Sequence, residues 1–494
     1  MQKKFLTNLG LLLFLNLLVK PFWVLGIDRS VQNAVGAEDF GFYFAILNFS
    51  FLFNIFLDLG ITNFNNRNIA QHNHLLNKHF SSILILKLIL GGLYILVTFI
   101  IGFIIGYDSK QFAILGWVAL NQFLLSFILY LRSNISALLL FKTDSIISVL
   151  DRLLMILFCS LLLWGNVTEQ NFKIEWFVYA QTSAYATTLI IAMIVVINKS
   201  AFRKLNWNRP FLLMILKKSA PYALLVFLMA QYNRIDTVII ERILPENIGE
   251  HQAGIYAQAY RLLDAANMIA YLFAVLLLPI FSKMIKLNLS IVALTKLSFS
   301  LLFTISITVA VASCFYATEI MTLLYSMHGL ETTDAYFLRI NQSAHIFSLL
   351  MFGFVAISAI YVFGTLLTAN GSLTYLNIVA ASGVVISIVL NFSLVPQLQA
   401  TGSAYASLSA QLFTALAQVI VAINIFKLKL NLKYIAALIV FVIGIILSGY
   451  FSRQLSFDWK INITLMILVA FVLSLILRLL NIREFIRIIK SEKA

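Results

Sequence analysis

The sequence predicts an all-α polytopic membrane protein of about fourteen transmembrane helices: two pseudo-symmetric six-helix lobes and then two further helices. Three observations predict it. The chain is 61% hydrophobic and only 11% charged, against roughly half and a quarter in soluble domains. Its apolar runs are long enough to cross a bilayer as helices and lack the period-2 alternation of strands. Its punctuation also recurs. Gly36-Ala37-Glu38-Asp39-Phe40-Gly41-Phe42-Tyr43 is echoed by Gly249-Glu250-His251-Gln252-Ala253-Gly254-Ile255-Tyr256, each octad following an Ile-Asp pair, Ile27-Asp28 and Ile235-Asp236. Further along, Ser183-Ala184-Tyr185-Ala186 is echoed by Ser403-Ala404-Tyr405-Ala406. Two related bundles in one membrane chain imply alternating access, with the substrate path between the bundles.

Taken in order, the expected spans lie near 5–27, 40–63, 80–106, 111–140, 145–165 and 174–198 in the first lobe. The second lobe holds those near 211–240, 253–281, 293–325, 343–369, 374–395 and 402–426, and the extra pair lies near 433–452 and 461–480. The domain division is therefore 1–198, a cytoplasmic linker at 199–210, 211–426, and 427–494 with its basic tail. The linker carries Lys199, Arg203, Lys204, Arg209 and Pro210. The start, Met1-Gln2-Lys3-Lys4 and an apolar run, is expected to be a retained first helix, because no small-residue cleavage site follows it.

Charge placement supports an even number of spans. Most of the 35 Lys and Arg fall on the side that holds both termini. The opposite loops hold only Arg29, Lys110, Lys173, Arg242, Arg339, Arg453 and Lys460. This positive-inside bias places both termini in the cytoplasm. The net charge of +15 then reflects topology and anionic headgroups, not nucleic acid, because the basic residues are spread over many loops. No metal or nucleotide chemistry is expected. Cys159 and Cys314 sit in apolar surroundings without ligand spacing, His72, His74 and His79 share one loop, and neither an H-E-x-x-H motif nor a Walker loop occurs.

Charged groups inside spans are costly and mark functional candidates. Here they are Lys20, Asp58, Lys87, Arg132, Asp151, Arg152, Arg234, Asp236, Arg261 and Asp264. Several share helix faces with other polar groups: Asn54, Asp58 and Thr62; Gln122, Ser126 and Tyr130; Gln231 with Arg234; Arg261 with Asp264 and Asn267. Arg132, Arg234 and Arg261 are the expected lining of the substrate path. Lys20 and Lys87 either line it as well or snorkel towards an interface. Asp58, Asp236 and Asp264 either orient the arginines or carry a coupling cation, H+ or Na+. Arg261 and Asp264 are spaced to pair, which also suits simple helix packing.

These residues bring out a resemblance to the multidrug/oligosaccharidyl-lipid/polysaccharide (MOP) exporter superfamily, in its polysaccharide biosynthesis, O-antigen-type flippase branch. It rests on the first octad followed by Asp58-Leu59-Gly60 and Arg67-Asn68-Ile69-Ala70, then Tyr232-Asn233-Arg234-Ile235-Asp236 and Ala253-Gly254-Ile255-Tyr256-Ala257-Gln258-Ala259-Tyr260-Arg261. Asn391 through Pro396 and Gly402-Ser403-Ala404-Tyr405-Ala406 extend it. The family pattern often has Glu where this chain has Asn68. The resemblance implies two six-helix lobes around a central cavity in the bacterial inner membrane. Its implied substrate is a polyprenyl-pyrophosphate-linked oligosaccharide turned from the cytoplasmic to the outer leaflet for O-antigen (lipopolysaccharide) or capsule-type polysaccharide. Membrane lipids and polysaccharide polymerase machinery are the implied partners. Arg67 joins Lys20, Arg132, Arg234 and Arg261 as a candidate substrate-binding group, since arginine meets phosphate oxygens bidentately. A drug or metabolite exporter of the same superfamily is the alternative transporter, although it would favour acidic cavity residues. A polytopic glycosyltransferase using Glu38 and Asp39 is the alternative enzyme.

Overall fold

The computed structural model describes residues 14–16, 18–19, 21–62, 75–138, 140–165, 172–199, 209–329, 331–429 and 431–480. Every regular element among them is helical. A π-helical turn, Trp23–Asp28, leads into α1 (Arg29–Leu52). Then come α2 (Leu75–Ile104), α3 (Ser109–Ala137), α4 (Phe141–Trp164), α5 (Ile174–Ile197), α6 (Arg209–Ile243) and α7 (Glu246–Lys286). The rest of the chain forms α8 (Val292–Leu324), α9 (Thr333–Ala369), α10 (Leu373–Leu398), α11 (Ala400–Phe426), α12 (Leu432–Gln454) and α13 (Trp459–Ile476). Twelve helices among the described residues are long and apolar enough to cross a membrane, so the chain is a multi-pass membrane protein. From residue 75 onward, each expected span lies on one helix. The stretch expected at 293–325 is one helix, α8, kinked at Tyr316.

The first two expected spans meet without a loop. Gly36, at φ 83° and ψ 174°, interrupts α1, a conformation open to glycine and strained for any L side chain. Other boundaries follow ordinary capping chemistry. Asp108 and Gln111 form a capping box at the start of α3. Thr332, Asn431 and Asp458 accept main-chain N–H bonds at the starts of α9, α12 and α13.

The chain divides into two compact units, Met1–Gly254 and Ile255–Ala494. In the first, α1 packs on α6 and α3, and α5 packs on α3 and α4. Its interior holds Tyr43, Tyr94, Tyr130 and Tyr232, all fully buried. Burying a phenol requires a partner for its hydroxyl. Gln181 Nε2 therefore donates to Tyr43 at 2.9 Å, and Tyr94 bonds the Ser50 carbonyl at 3.2 Å. In the second unit, α8 packs on α9, α9 on α11, and α10 on α11. The hairpin α12–α13 closes over α8 through Ile307, Val311, Tyr316, Phe441, Ile445 and Met466. Hydroxyl pairs fix its register: Tyr316 with Ser452 and Ser300 with Tyr434, each at 2.7 Å.

Candidate functional site

The two octads meet in space. A Cβ built on Gly41 would lie 2.0 Å from the carbonyl oxygen of Glu250, and one built on Gly254 would lie 1.8 Å from that of Ala37. Gly41 and Gly254 hold the same place in their octads, as do Ala37 and Glu250. The contact is thus self-complementary: each copy lays its glycine on the other's carbonyl. Only glycine allows main chains to approach this closely.

At the C-terminal end of α1 the helix breaks. Asn54–Leu57 tightens into a 3-10 turn, and Asp58, Leu59 (φ 45°) and Gly60 (φ 78°) follow in non-helical conformations. A left-handed leucine costs about 1–2 kcal/mol, so its surroundings must hold the break. They do so with charge. The Leu57 carbonyl, freed by the break, accepts from Lys87 Nζ of α2 at 3.0 Å and from Ser126 Oγ of α3 at 3.2 Å. Lys87 also donates to Ser126 Oγ at 3.1 Å and forms an ion pair with Asp58. Thr62 donates its amide and hydroxyl back to the Asp58 carboxylate. Lys87 is only 2% exposed, so it does not snorkel, whereas Asp58 keeps 31% exposure.

Helix α6 borders this break. Gln231 Nε2 donates to the Leu52 carbonyl at 2.9 Å, and Arg234 lies over the Phe51 ring at 5.2 Å. One turn earlier along α1, Asn48 Nδ2 donates to Thr237 Oγ1 at 2.6 Å. Asp236 is buried. The structure therefore brings Asp58, Lys87, Ser126, Gln231 and Arg234, all flagged from the sequence, to one stretch of the first unit. Arg132 is elsewhere, its Nε 2.8 Å from Asp144 at the start of α4. In the second unit Arg261 and Asp264 pair at 3.5 Å, as their spacing anticipates. Lys20 and Arg67 lie outside the described residues.

Besides Asp144, two buried acids are absent from the candidate charges, Asp28 having served only as a repeat marker. Asp28, in the π-helical turn, is fully buried and accepts from Gln32 Nε2 at 3.0 Å. Glu241 accepts from Gln111 Nε2 at 2.7 Å and pairs with Arg242 at 2.8 Å. Arg242 in turn lies 4.3 Å over Tyr107, whose phenol is pushed up by burial, with Glu241 adding to the push and Arg242 opposing it. A signal for them existed. The separation between the octads, carried back without a gap, aligns Ile27-Asp28-Arg29 with Ile240-Glu241-Arg242 and not with Ile235-Asp236. No cluster of His, Cys, Asp or Glu among the described residues is arranged to hold a metal.

This architecture is that of the MOP exporters. An inward closed conformation of the lipid II flippase MurJ superposes with a TM-score of 0.70 at 15% identity, covering 94% of this chain and 99% of that one. An inward-facing multidrug resistance MATE transporter superposes at 0.61 with 13% identity, covering 82% and 94%. A MOP superfamily transporter from Pyrococcus furiosus, described as having a binding pocket of reverse polarity, superposes at 0.57 with 13% identity, covering 86% and 95%. No curated protein matches by sequence. The chain belongs to the polysaccharide biosynthesis protein family, whose profile matches residues 27–285, within the MOP exporter superfamily.

Proposed function

We propose that the protein is a flippase that moves a polyprenyl-pyrophosphate-linked oligosaccharide from the cytoplasmic to the outer leaflet of a bacterial inner membrane, for O-antigen or capsule-type polysaccharide. Both termini are then cytoplasmic. The lobes 1–198 and 211–426 alternate in access, and the glycan leaves chemically unchanged. The observation that carries this reading is the match to the polysaccharide biosynthesis family over residues 27–285. The polar groups on its helices agree with it. Arg132, Arg234 and Arg261 sit on membrane helices and are of the type that pairs with phosphate oxygens, Arg132 and Arg261 being paired here with Asp144 and Asp264. A cavity of about 320 Å3 in the second unit, lined by Thr304, Thr308, Ala312, Phe441, Ile467 and Phe471, is apolar enough for an isoprenoid segment.

The test is leaflet accessibility of a short polyprenyl-pyrophosphate oligosaccharide in proteoliposomes, for the wild type and for Arg234→Ala/Arg261→Ala. The expected result is protein-dependent exposure of an intact glycan, lost in the double variant. A covalently altered glycan points to an enzyme, and no exposure at all points to a drug or metabolite exporter.

A further inference from the structure

The surroundings of Lys87 are those of a metal cation. Three kinds of hard oxygen converge on its ammonium: the Leu57 carbonyl at 3.0 Å, the Ser126 hydroxyl at 3.1 Å and the Asp58 carboxylate. The set is anionic by one charge, buried at Leu57 and Ser126 but partly exposed at Asp58, and built on a broken membrane helix. Unwound helix segments with exposed carbonyls are where secondary transporters coordinate Na+, and carboxylate, carbonyl and hydroxyl oxygens are the ligands that hard cations take. In this chain the position is taken by a side chain.

We propose that Lys87 is a built-in counter-cation: it fills an oxygen cage at the break after α1 that would otherwise bind a monovalent metal cation. The reason it wins is tethering. An amine delivered by the neighbouring helix has an effective concentration that a dissolved ion must exceed to displace it. Removing the ammonium leaves the Asp58 carboxylate, still held by Thr62 and partly exposed, without its counter-charge, and leaves the Leu57 carbonyl with Ser126 as its remaining donor. The cage then recruits Na+ or K+. In the native protein the Asp58 charge is balanced from within the chain, so this point of the fold neither takes up nor releases an external cation during turnover. The inference rests on the cage geometry and holds whatever cargo the protein carries.

The experiment compares full-length wild type, Asp58→Asn, Lys87→Ala, Lys87→Gln and Lys87→Ala/Asp58→Asn in detergent. It measures binding of radioactive sodium, and thermal unfolding in NaCl, KCl and choline chloride at equal ionic strength. Wild type is expected to unfold at the same temperature in all three salts and to bind no saturable sodium. Lys87→Ala is expected to bind one cation per chain, at least about tenfold more tightly than wild type, and to unfold at a higher temperature in the metal salt. The double variant is expected to lose both effects. Lys87→Gln keeps the stem and offers an amide oxygen, so it supplies the same comparison if the alanine variant does not fold. The proposal is overturned if wild type binds sodium in a way that Asp58→Asn abolishes, if neither Lys87 variant responds to Na+ or K+, or if the response survives in the double variant.

Discussion

The middle and the end of α1 are held by opposite means. At its middle, where Gly41 meets Gly254, two main chains touch directly and no side chain intervenes. Just past its end, from Phe53 to Gly60, the main chain comes apart, and side chains from α2, α3 and α6 satisfy what it exposes. The first region depends on the absence of atoms, the second on the presence of one charge pair. A contact made of backbone tolerates no added atom and adapts only by separating. A break held by hydrogen bonds and an ion pair has alternative partners and can exchange them. The first region is a joint of main chain on main chain, and the second is a break bridged by side chains.

The sharpest way to break the comparison is at the charge pair. Asp58→Asn strands the buried Lys87 ammonium and is expected to cost about 3–5 kcal/mol. Lys87→Ala is expected to cost less, because Asp58 at 31% exposure can be hydrated. Denaturant unfolding of both variants in choline-based buffer measures the order, and the reverse order would show that the break is not built around the ammonium.

The next largest effect is expected at the backbone contact. Gly254→Ala places a methyl group 1.8 Å from the Ala37 oxygen, an overpacking worth about 1–3 kcal/mol if the helices yield slightly. Gly41→Ala strikes the same contact from the other side. The double variant is therefore expected to cost clearly less than the sum of the two, since the first substitution has already separated the chains. Denaturant unfolding of the two single variants and the double variant measures the shortfall.

Smaller effects sharpen the picture. Gln231→Leu removes the donor to the Leu52 carbonyl at the edge of the break and is expected to cost about 1 kcal/mol. Far from both regions, Arg453 pairs with Glu319 and covers Tyr316 at 4.7 Å, but it is 42% exposed. Arg453→Ala is expected to cost no more than about 1 kcal/mol, and a loss as large as that at Asp58 would mean that exposure is a poor guide in this molecule.

Much of this was legible before any coordinates. Hydropathy marks each helix from α2 onward because the cost of burying polar backbone in lipid allows few alternatives. The octads announced themselves by their glycines, and the reason is now visible: the same close contact constrains both copies. Arg261 with Asp264 was legible because pairing at that spacing is local to one helix. Lys87 was not. Its partners lie 29, 30 and 39 residues away along the chain, and no periodicity reports a contact between different helices. Arg132 was likewise flagged without Asp144, because the pair joins two helices across a turn.

The sequence by itself determined that this is a helical membrane protein with an internal repeat, and which charges had to be accommodated within it. Those are properties of composition and local period, which act residue by residue along a helix. Only the tertiary structure decided that Gly41 and Gly254 cross, that α1 gives way after Leu52, and that Lys87 answers Asp58 while Arg132 answers Asp144. Charge compensation in a low-dielectric interior is settled by which groups packing brings within a few ångströms.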